Sequence, residues 1–306
     1  FISKYSIGII CFSKPSIYLI IIYYILIILF LYNYKNIYLF ILLFIHKTFI
    51  YFDPTFKVSY LDVGQGDSIF IKYPYNKSNI LIDTGGLLNS NYSVISNKTI
   101  PYLKSIGIYK INYLILSHGD YDHMGEAINL INEFKVDKVI FNCGTHNNLE
   151  KELISALDKK KIKYYSCIKE LSIDNNKLYF LQTKEYNNEN DNSNVIYTEF
   201  NNYKFLFMGD AGIDKEKDIL EKYKLKDIDF LKVGHHGSTT SSSEEFINSI
   251  NPKYSLISVG KNNRYGHPKE AILNTLKNSK IYRTDLDGSI IFKIKSNSSK
   301  LETYSP

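Results

Sequence analysis

From residue 17 to residue 32 every position is apolar or aromatic, with no polar face at any helical spacing. With Pro15 and Ser16 before it and Asn33-Tyr34 after it, the run approaches the ~20 residues a helix needs to cross a bilayer. A second apolar run covers 37–45 and continues through His46-Lys47 to Phe52. There Lys47 can snorkel, and His46 and the tyrosines suit an interface. Asn33-Tyr34-Lys35-Asn36 supplies the bend between the two runs. The pattern predicts a transmembrane helical hairpin, helices at about 15–34 and 37–52, in a membrane segment of residues 1–53. A helix without a polar face is a poor surface helix. A cleaved signal peptide fits less well, because no A-x-A-like site follows and another apolar run does. Lysines flank both runs (Lys4, Lys14, Lys35, Lys47, Lys57), so they do not orient the hairpin.

After Asp53-Pro54 the texture changes to short alternating runs separated by turn residues. Strands are predicted at 57–63, 68–73, 79–82 and 113–116, with a helix at 125–134. Strand and helix then alternate: strands at 205–208, 229–233, 254–258, 281–283 and 289–294, helices at 214–223, 243–250 and 268–278. Pro268 suits the start of the last helix. An Asn-rich loop lies at 187–194. A β-rich first half and a βα second half argue for two sheets with helices packed outside, in a second domain of residues 54–306.

The chain has 306 residues, 44% hydrophobic and 22% charged, which excludes a disordered or fibrous protein. Its second domain is long enough to bury a core without staples. A net charge of +6 suits nucleic acid or an anionic membrane but is no dense basic stripe. The run Lys159, Lys160, Lys161 and Lys163 reads as a solvated surface. The absence of Trp beside 27 Tyr reads as coding bias. Cys11, Cys143 and Cys167 form no CxxC pair and no disulfide framework, and Cys143 reads as a small core residue. Residue 1 is Phe and both methionines, Met124 and Met208, lie deep in the chain, so the sequence reads as the carboxy-terminal piece of a longer protein.

The candidate chemistry sits where strands end. Ser117-His118-Gly119-Asp120-Tyr121-Asp122-His123 follows a predicted strand directly and holds four ligand-type side chains within six residues. His118 and Asp120 can point one way and Asp122 and His123 another, so the segment can serve two ions. Imidazole and carboxylate ligands suit zinc, manganese or iron.

That segment resembles the H-x-[HD]-x-D-H signature of the metallo-β-lactamase superfamily, and further matches follow in order. Leu81-Ile82-Asp83-Thr84-Gly85-Gly86 resembles the early Asp-Gly motif, whose Asp supports the ligand loop. Phe207-Met208-Gly209-Asp210 resembles the Gly-Asp turn whose carboxylate bridges two metals. Lys232-Val233-Gly234-His235-His236-Gly237-Ser238 resembles a late His motif. Three features are similar to ComEC-type competence proteins: Leu61-Asp62-Val63-Gly64-Gln65-Gly66-Asp67, the His-His-Gly-Ser block, and Asn263-Arg264-Tyr265-Gly266-His267-Pro268. Tyr282-Arg283-Thr284-Asp285 with Asp287-Gly288 fits them too. In that family a domain of this fold follows a multi-helix membrane channel that admits single-stranded DNA.

The resemblance implies an α/β fold, a four-layer αβ/βα sandwich preceded by the hairpin as the end of the channel domain. It implies two divalent metal ions, manganese or zinc, held by His118, Asp120, Asp122, His123, Asp210 and His235, with His267 as the alternative last ligand. Asp120 stands where many superfamily members have His, which favours manganese. The family's middle His, expected between Met124 and Asp210, has only His146 as a candidate, which would leave one ion short of a ligand. Catalytic roles fall to Asp120, to Asp83 as orienting residue, to His236 as proton donor or phosphate contact, and to Lys261 with Arg264 on the phosphoryl oxygens. The loop carrying Lys261, Asn262, Asn263 and Arg264 reads equally as a phosphate contact or as an exposed surface. In 61–67 the glycines read as a tight turn with positive φ, with Asp62 or Gln65 near the site as the sharper alternative. The serines before Glu244 and Glu245 read first as a helix cap.

The function implied is a membrane-anchored metal-dependent phosphodiesterase acting on DNA during competence uptake, at the cell membrane with the domain on the outer face. Its partners would be DNA, the membrane, the upstream channel and competence-machinery proteins. Two other readings stand beside it: a tethered hydrolase of the same fold acting on a small phosphodiester or lactone, and a non-catalytic DNA-guiding module.

Overall fold

The computed structural model of the chain describes residues 12–87, 92–295 and 298–305. Phe1, Lys4 and Cys11 lie outside the described residues.

The two apolar runs form helices α1 (Ile17–Tyr32) and α2 (Tyr38–Thr48), with a 3-10 turn at Phe49–Phe52. Ser16 caps α1 by accepting from the Leu19 backbone, and the polar bend after Tyr32 ends it. α1 therefore spans only 16 residues, about 24 Å at 1.5 Å per residue, against ~30 Å for a hydrocarbon core. Among the described residues no helix is long and apolar enough to cross a membrane. The hairpin is present; the two spanning helices expected of it are not among these elements. His46, expected at an interface, is buried in the hairpin, bonded to the Tyr23 hydroxyl (2.8 Å) and the Ser13 carbonyl (3.0 Å). The head is pinned to the second domain by Ile50 in the core, by a bridge from Ser13 to Ile106, and by Tyr51 bonded to Tyr109.

The second domain is two sheets face to face. The first runs β15-β14-β1-β2-β3-β4-β5-β6, from β1 (Phe56–Tyr60), β2 (Ile69–Lys72), β3 (Asn79–Ile82), β4 (Lys110–Ile115), β5 (Lys135–Phe141), β6 (Lys163–Ser166), β14 (Ser289–Lys295) and β15 (Ser298–Tyr304). The second runs β13-β12-β11-β10-β9-β8-β7, from β7 (Glu170–Ile173), β8 (Asn176–Phe180), β9 (Ile196–Phe200), β10 (Tyr203–Phe207), β11 (Phe230–Lys232), β12 (Tyr254–Ile257) and β13 (Lys280–Arg283). Within each sheet a parallel block, β3 to β6 and β10 to β13, is flanked by antiparallel strands.

Alternation sorts the side chains. Phe56, Val58 and Tyr60 of β1 and Ile80 and Ile82 of β3 enter the core between the sheets, while Leu81 turns to the outer helices. Both faces are covered, so buried side chains alternate between the inner core and the outer helices along these strands. One outer layer holds α3 (Ile100–Ser105), α5 (Ala127–Glu133) and α6 (Asn148–Lys160); the other holds α7 (Ile213–Lys222), α8 (Glu244–Ile250) and α9 (Glu270–Thr275). α6 opens on a capping box of Asn147 and Glu150, and Ser243 caps α8 as expected from the serine run. The helix expected at 268–278 begins at Glu270, two residues past Pro268, and the Lys269 amide before it donates to the Gly237 carbonyl beside the histidine turn.

One thiol reading is corrected. Cys143 and Cys167 form a disulfide between the segments that follow β5 and β6. These strands are hydrogen-bonded neighbours, so their ends bring together cysteines 24 positions apart, which spacing alone does not reveal.

Aromatic rings set the separation of the sheets. Phe230 lies 4.1 Å from Phe292, 4.6 Å from Phe205 and 5.0 Å from Tyr254, centroid to centroid. Replacing this buried ring leaves a cavity that two rigid sheets cannot close. Phe230→Ala is expected to cost about 3–5 kcal/mol, read as a lower urea midpoint at unchanged slope; a loss under about 1 kcal/mol would show that the core relaxes.

Candidate metal centre

The candidate ligands sit at the carboxyl ends of the parallel strands, where open α/β sheets place their ligands. Asp83 follows β3 with φ 59°. Its Oδ1 accepts from the Ser117 amide (2.7 Å) and its Oδ2 lies 2.9 Å from His123 Nδ1, so it orients that imidazole. His118 follows β4, and a single helical turn, α4 (Tyr121–Met124), carries Asp122 and His123. Asp210 follows β10 after Gly209. His235 and His236 follow β11 with φ 46° and 53°, left-handed values unusual for any residue but Gly. The early glycine motif folds against this loop: a Cβ on Gly66 would meet the Asp122 carbonyl at 2.1 Å, and its φ of 128° likewise calls for Gly.

The result is a buried convergence of donors. His118, His123 and Asp210 form one cluster, and Asp122, His123 and His236 a second that overlaps it; within each, the ligand atoms lie within 4.8 Å of one another. His123 Nε2 is 3.1 Å from Asp210 Oδ1. His236 Nε2 is 3.3 Å from Asp122 and 3.5 Å from Asp210. The Nε2 atoms of His118, His123 and His236 and Oδ1 of Asp210 are all buried without a hydrogen-bond partner. Buried polar atoms are normally paired. Three imidazole nitrogens and a carboxylate left free and aimed at one another fit a divalent cation. On the far side of the rings, His236 Nδ1 is held by the Ser258 carbonyl (2.8 Å), which fixes the tautomer with Nε2 free.

Electrostatics agree. Burial pushes the Asp210 carboxyl up, but His123, His236 and Lys232 outweigh it and hold it well below the carboxylate range. Burial pushes His123 down, yet Asp210 and Asp83 hold it well above the usual histidine value. His236 is likewise raised, by Asp210 and Asp122 against burial. The pocket keeps Asp210 and Asp122 charged and draws positive charge in, as protons or as metal.

Several expected residues stand around this centre. Asp120 stands half exposed at the N-cap position of α4 without a capping hydrogen bond, its Oδ2 3.4 Å from His118 Nε2. His235 lies at the mouth, Nε2 3.8 Å from Asp210 and Nδ1 bonded to the Thr240 hydroxyl. His267 stands 6.0 Å from the His235 ring, its pKa pushed down to about 4 by partial burial and by His235 and His236. Lys261 is exposed on the loop after β12. His146 is elsewhere, with Nδ1 3.4 Å from Glu150 and Nε2 3.3 Å from Ser166. The residues beside Asp210 from the middle of the chain are Ser193, whose hydroxyl accepts from the Asp210 amide, and Asn194, bonded to the Ser117 carbonyl. Asp62 pairs with Lys98, away from the ligands; Gln65 accepts from the Gly260 amide.

Two central residues escaped the sequence reading. Lys232 ends β11 fully buried, its ammonium paired with Asp67 and donating to the Gly209 carbonyl (2.9 Å). Asp67, the last residue of the glycine motif, lies 3.7 Å from both His123 and His236. The available signal was a lysine closing an apolar strand directly before a histidine motif. Such a charge stays buried only with a partner. Beside the centre opens a cavity of about 570 Å³ lined by Gln65, Leu87, Asp120, Asp122, Arg264 and Tyr265, among others.

The family model of the metallo-β-lactamase superfamily matches residues 61–261, the stretch that holds most of these residues. The chain belongs to the metallo-β-lactamase superfamily. It is 32% identical over 267 residues to ComE operon protein 3 of Bacillus subtilis (strain 168), covering 82% of this chain and 34% of that protein. It is 30% identical over 240 residues to Competence protein ComA of Neisseria gonorrhoeae, covering 77% of this chain and 32% of that one. The chain thus spans about a third of the length of the curated relatives it matches. Among solved structures, the diiron β-hydroxylase CmlA from Streptomyces venezuelae superposes with a TM-score of 0.53 over 78% of this chain and 54% of that one, at 14% identity. That likeness concerns the fold, and it agrees with the two-sheet sandwich described above.

For this metallo-β-lactamase-fold centre, Asp83→Ala removes the support of the His123 ring without removing a donor. Divalent-metal affinity is expected to fall about 10–100-fold, measured by titration with manganese or zinc. Uptake in the unaltered chain should strengthen as pH rises, because a cation must displace the proton from His123. Unchanged affinity in the variant would remove Asp83 from the centre.

Proposed function

We propose that the chain is a membrane-anchored, metal-dependent phosphodiesterase that acts on DNA during uptake. The observation that carries the reading is the set of partnerless Nε2 atoms of His118, His123 and His236 around Asp210. The competence named in ComA, a relative matched over 77% of this chain, supports DNA as the substrate. Two divalent ions, manganese or zinc, fit the two overlapping clusters. His118, His123 and Asp210 would hold one, and Asp122, His123 and His236 the other.

Cations so held supply Lewis acidity, stabilising charge on phosphoryl oxygen and easing the deprotonation of water. The chain's own groups do the rest. Arg264, on the rim beside Tyr265, and Lys261 on the same loop hold the phosphodiester by charge. Asp120, half exposed next to His118, accepts the proton of the attacking water. His235 is kept neutral, chiefly by burial, and stands with His267 at the mouth as a hydrogen-bond partner for the phosphodiester, so the proton that Asp120 takes from water is the one that passes to the leaving oxygen. His236, expected as proton donor, has Nδ1 held by the Ser258 carbonyl and turns its Nε2 into the ligand cluster.

We place residues 1–53 as a membrane segment and 54–306 as the hydrolase domain. Exposed apolar side chains all along α1 support membrane association, since none of its residues is buried. The Cys143–Cys167 disulfide supports the outer face, because disulfides persist in oxidising compartments and are reduced in the cytosol.

The test uses the whole chain in detergent, stripped of metal and given manganese or zinc, with end-labelled single- and double-stranded DNA. Metal-dependent cleavage is expected, with Asp210→Asn reducing kcat at least ~100-fold and Arg264→Ala raising KM about 10–150-fold through a lost charge-assisted bond worth roughly 1.5–3 kcal/mol. Metal binding without DNA cleavage would shift the substrate to a small phosphodiester or lactone. Neither binding nor cleavage would leave a DNA-guiding module and overturn the catalytic account.

A further inference from the structure

A second cavity, of about 530 Å³, lies in the seam between the hairpin head and the first sheet. Four lysines line it: Lys14, Lys57, Lys72 and Lys293. Asp53 is its one carboxylate, shared by Lys57 (3.3 Å) and Lys72 (2.9 Å). Lys293 pairs with Glu302 behind the wall. Lys14 makes no ion pair among the described residues. Four ammonium groups against Asp53 and Glu302 leave two positive charges unbalanced. Lys72 is itself buried, and burial lowers its pKa against the pull of Asp53, so added anionic charge would be favourable there.

Phe49, Ile50, Ile106 and Ile291 give the lining an apolar wall, beside the hydroxyls of Ser13, Ser105 and Ser289. Apolar surface continues outward from it, because Phe44, Ile45, Phe49 and Phe52 are exposed along α2 and the turn after it. The cavity also sits opposite the metal centre. Lys57 opens β1 and Lys72 closes the antiparallel β2, whereas the glycine motif leaves the other end of β1.

We propose that this seam binds the phosphodiester headgroup of an anionic phospholipid, with the acyl chains lying along the exposed apolar side of α2. Surplus lysine charge selects the anion, and the apolar wall selects a lipid over free phosphate. Lys14 and Lys57 contact the headgroup from the rim, and Lys72 sets the potential behind them. The proposal rests on the membrane-association part of the function proposed above, and it is independent of the chemistry at the metal centre.

The test is flotation of the 306-residue chain with vesicles of phosphatidylcholine alone or with phosphatidylglycerol added. Binding to the mixed vesicles is expected to be at least tenfold tighter. A Lys14→Ala/Lys57→Ala variant should lose about 20–30-fold on mixed vesicles, at about fivefold per lysine near an anionic surface. It should be unchanged on phosphatidylcholine and in metal binding, which reports that it is folded. A Lys159→Ala/Lys160→Ala variant, with the same net charge but altered on α6, should bind as the unaltered chain does. Equal losses in both variants would reduce the effect to general surface attraction and overturn the site. Displacement by millimolar inorganic phosphate would make it a free-phosphate site instead. Equal binding to both vesicles would overturn this proposal and leave the hairpin's membrane association standing; binding to neither would remove both.

Discussion

The constraint on which the rest of this structure depends is the compensation of buried carboxylates where the two sheets meet. Asp67, Asp83 and Asp210 are all buried at the same strand ends. Each would be costly alone, since a desolvated carboxylate without a partner is among the least tolerable groups in a protein interior. Lys232 answers Asp67, the Ser117 amide and His123 answer Asp83, and the imidazoles of His123 and His236 answer Asp210. Lys232 with Asp67 and His123 with Asp210 join the two sheets, whereas Asp83 is answered within the first sheet and His236 meets Asp210 within the second, so the full charge balance exists only when both sheets are assembled. The same cluster that invites a cation therefore also specifies how the halves of the domain come together.

That assembly rests on the aromatic wedge between the sheets. Phe56 against Phe200 and Phe230 against Phe292 cross the interface at 3.8 and 4.1 Å. These contacts hold the sheets at a fixed separation. Loops leaving the first sheet with His118 and His123 then meet loops leaving the second with Asp210 and His236 within hydrogen-bonding range. Two left-handed histidines in sequence are an expensive way to leave a strand. The turn is held by the Ser238 amide on the His235 carbonyl, by Ser241 on Gly234 and by Pro268 packed on Gly237. Backbone strain is thus supported by neighbours that reach no ligand themselves.

Much of this was legible in the sequence, and the reason is local. The strands that carry ligands are short apolar runs ending in motif residues, and alternation with turn glycines locates them: β3, β10, β11, β12 and β14 fall within two residues of where the pattern puts them. The ligand segment 117–123 is contiguous, so its chemistry could be read without a fold. What stayed hidden was non-local. Whether His235 or His236 turns inward depends on φ values at two adjacent positions, which no residue pattern encodes. Lys232 looked like a strand end and Asp67 like part of a turn, because their pairing spans 165 positions, 232 − 67, and appears only after the sheets pack. The disulfide is hidden for the same reason. The strands β5 to β9 lie among residues of mixed polarity toward the sheet edges, where alternation is weakest.

The direction of β1 joins the two ends of the molecule. Its first residue, Phe56, follows the 3-10 turn that docks the hairpin, and its last, Tyr60, leads into the glycine motif that packs on the metal-ligand loop. Five residues of strand span roughly 17 Å. β3 and β4 run parallel to β1 through the antiparallel β2, so their ligand-bearing ends point the same way. A hairpin resting at a membrane therefore holds the metal centre on the far side of the sheet. The cavity with Arg264 and Tyr265 lies at that ligand-bearing end and would then stand away from the lipid. The lysine-lined seam lies at the near end. One short strand thus separates an acidic, cation-seeking end from a basic, anion-seeking one, and a reversal of the domain on its hairpin would set both against their surroundings.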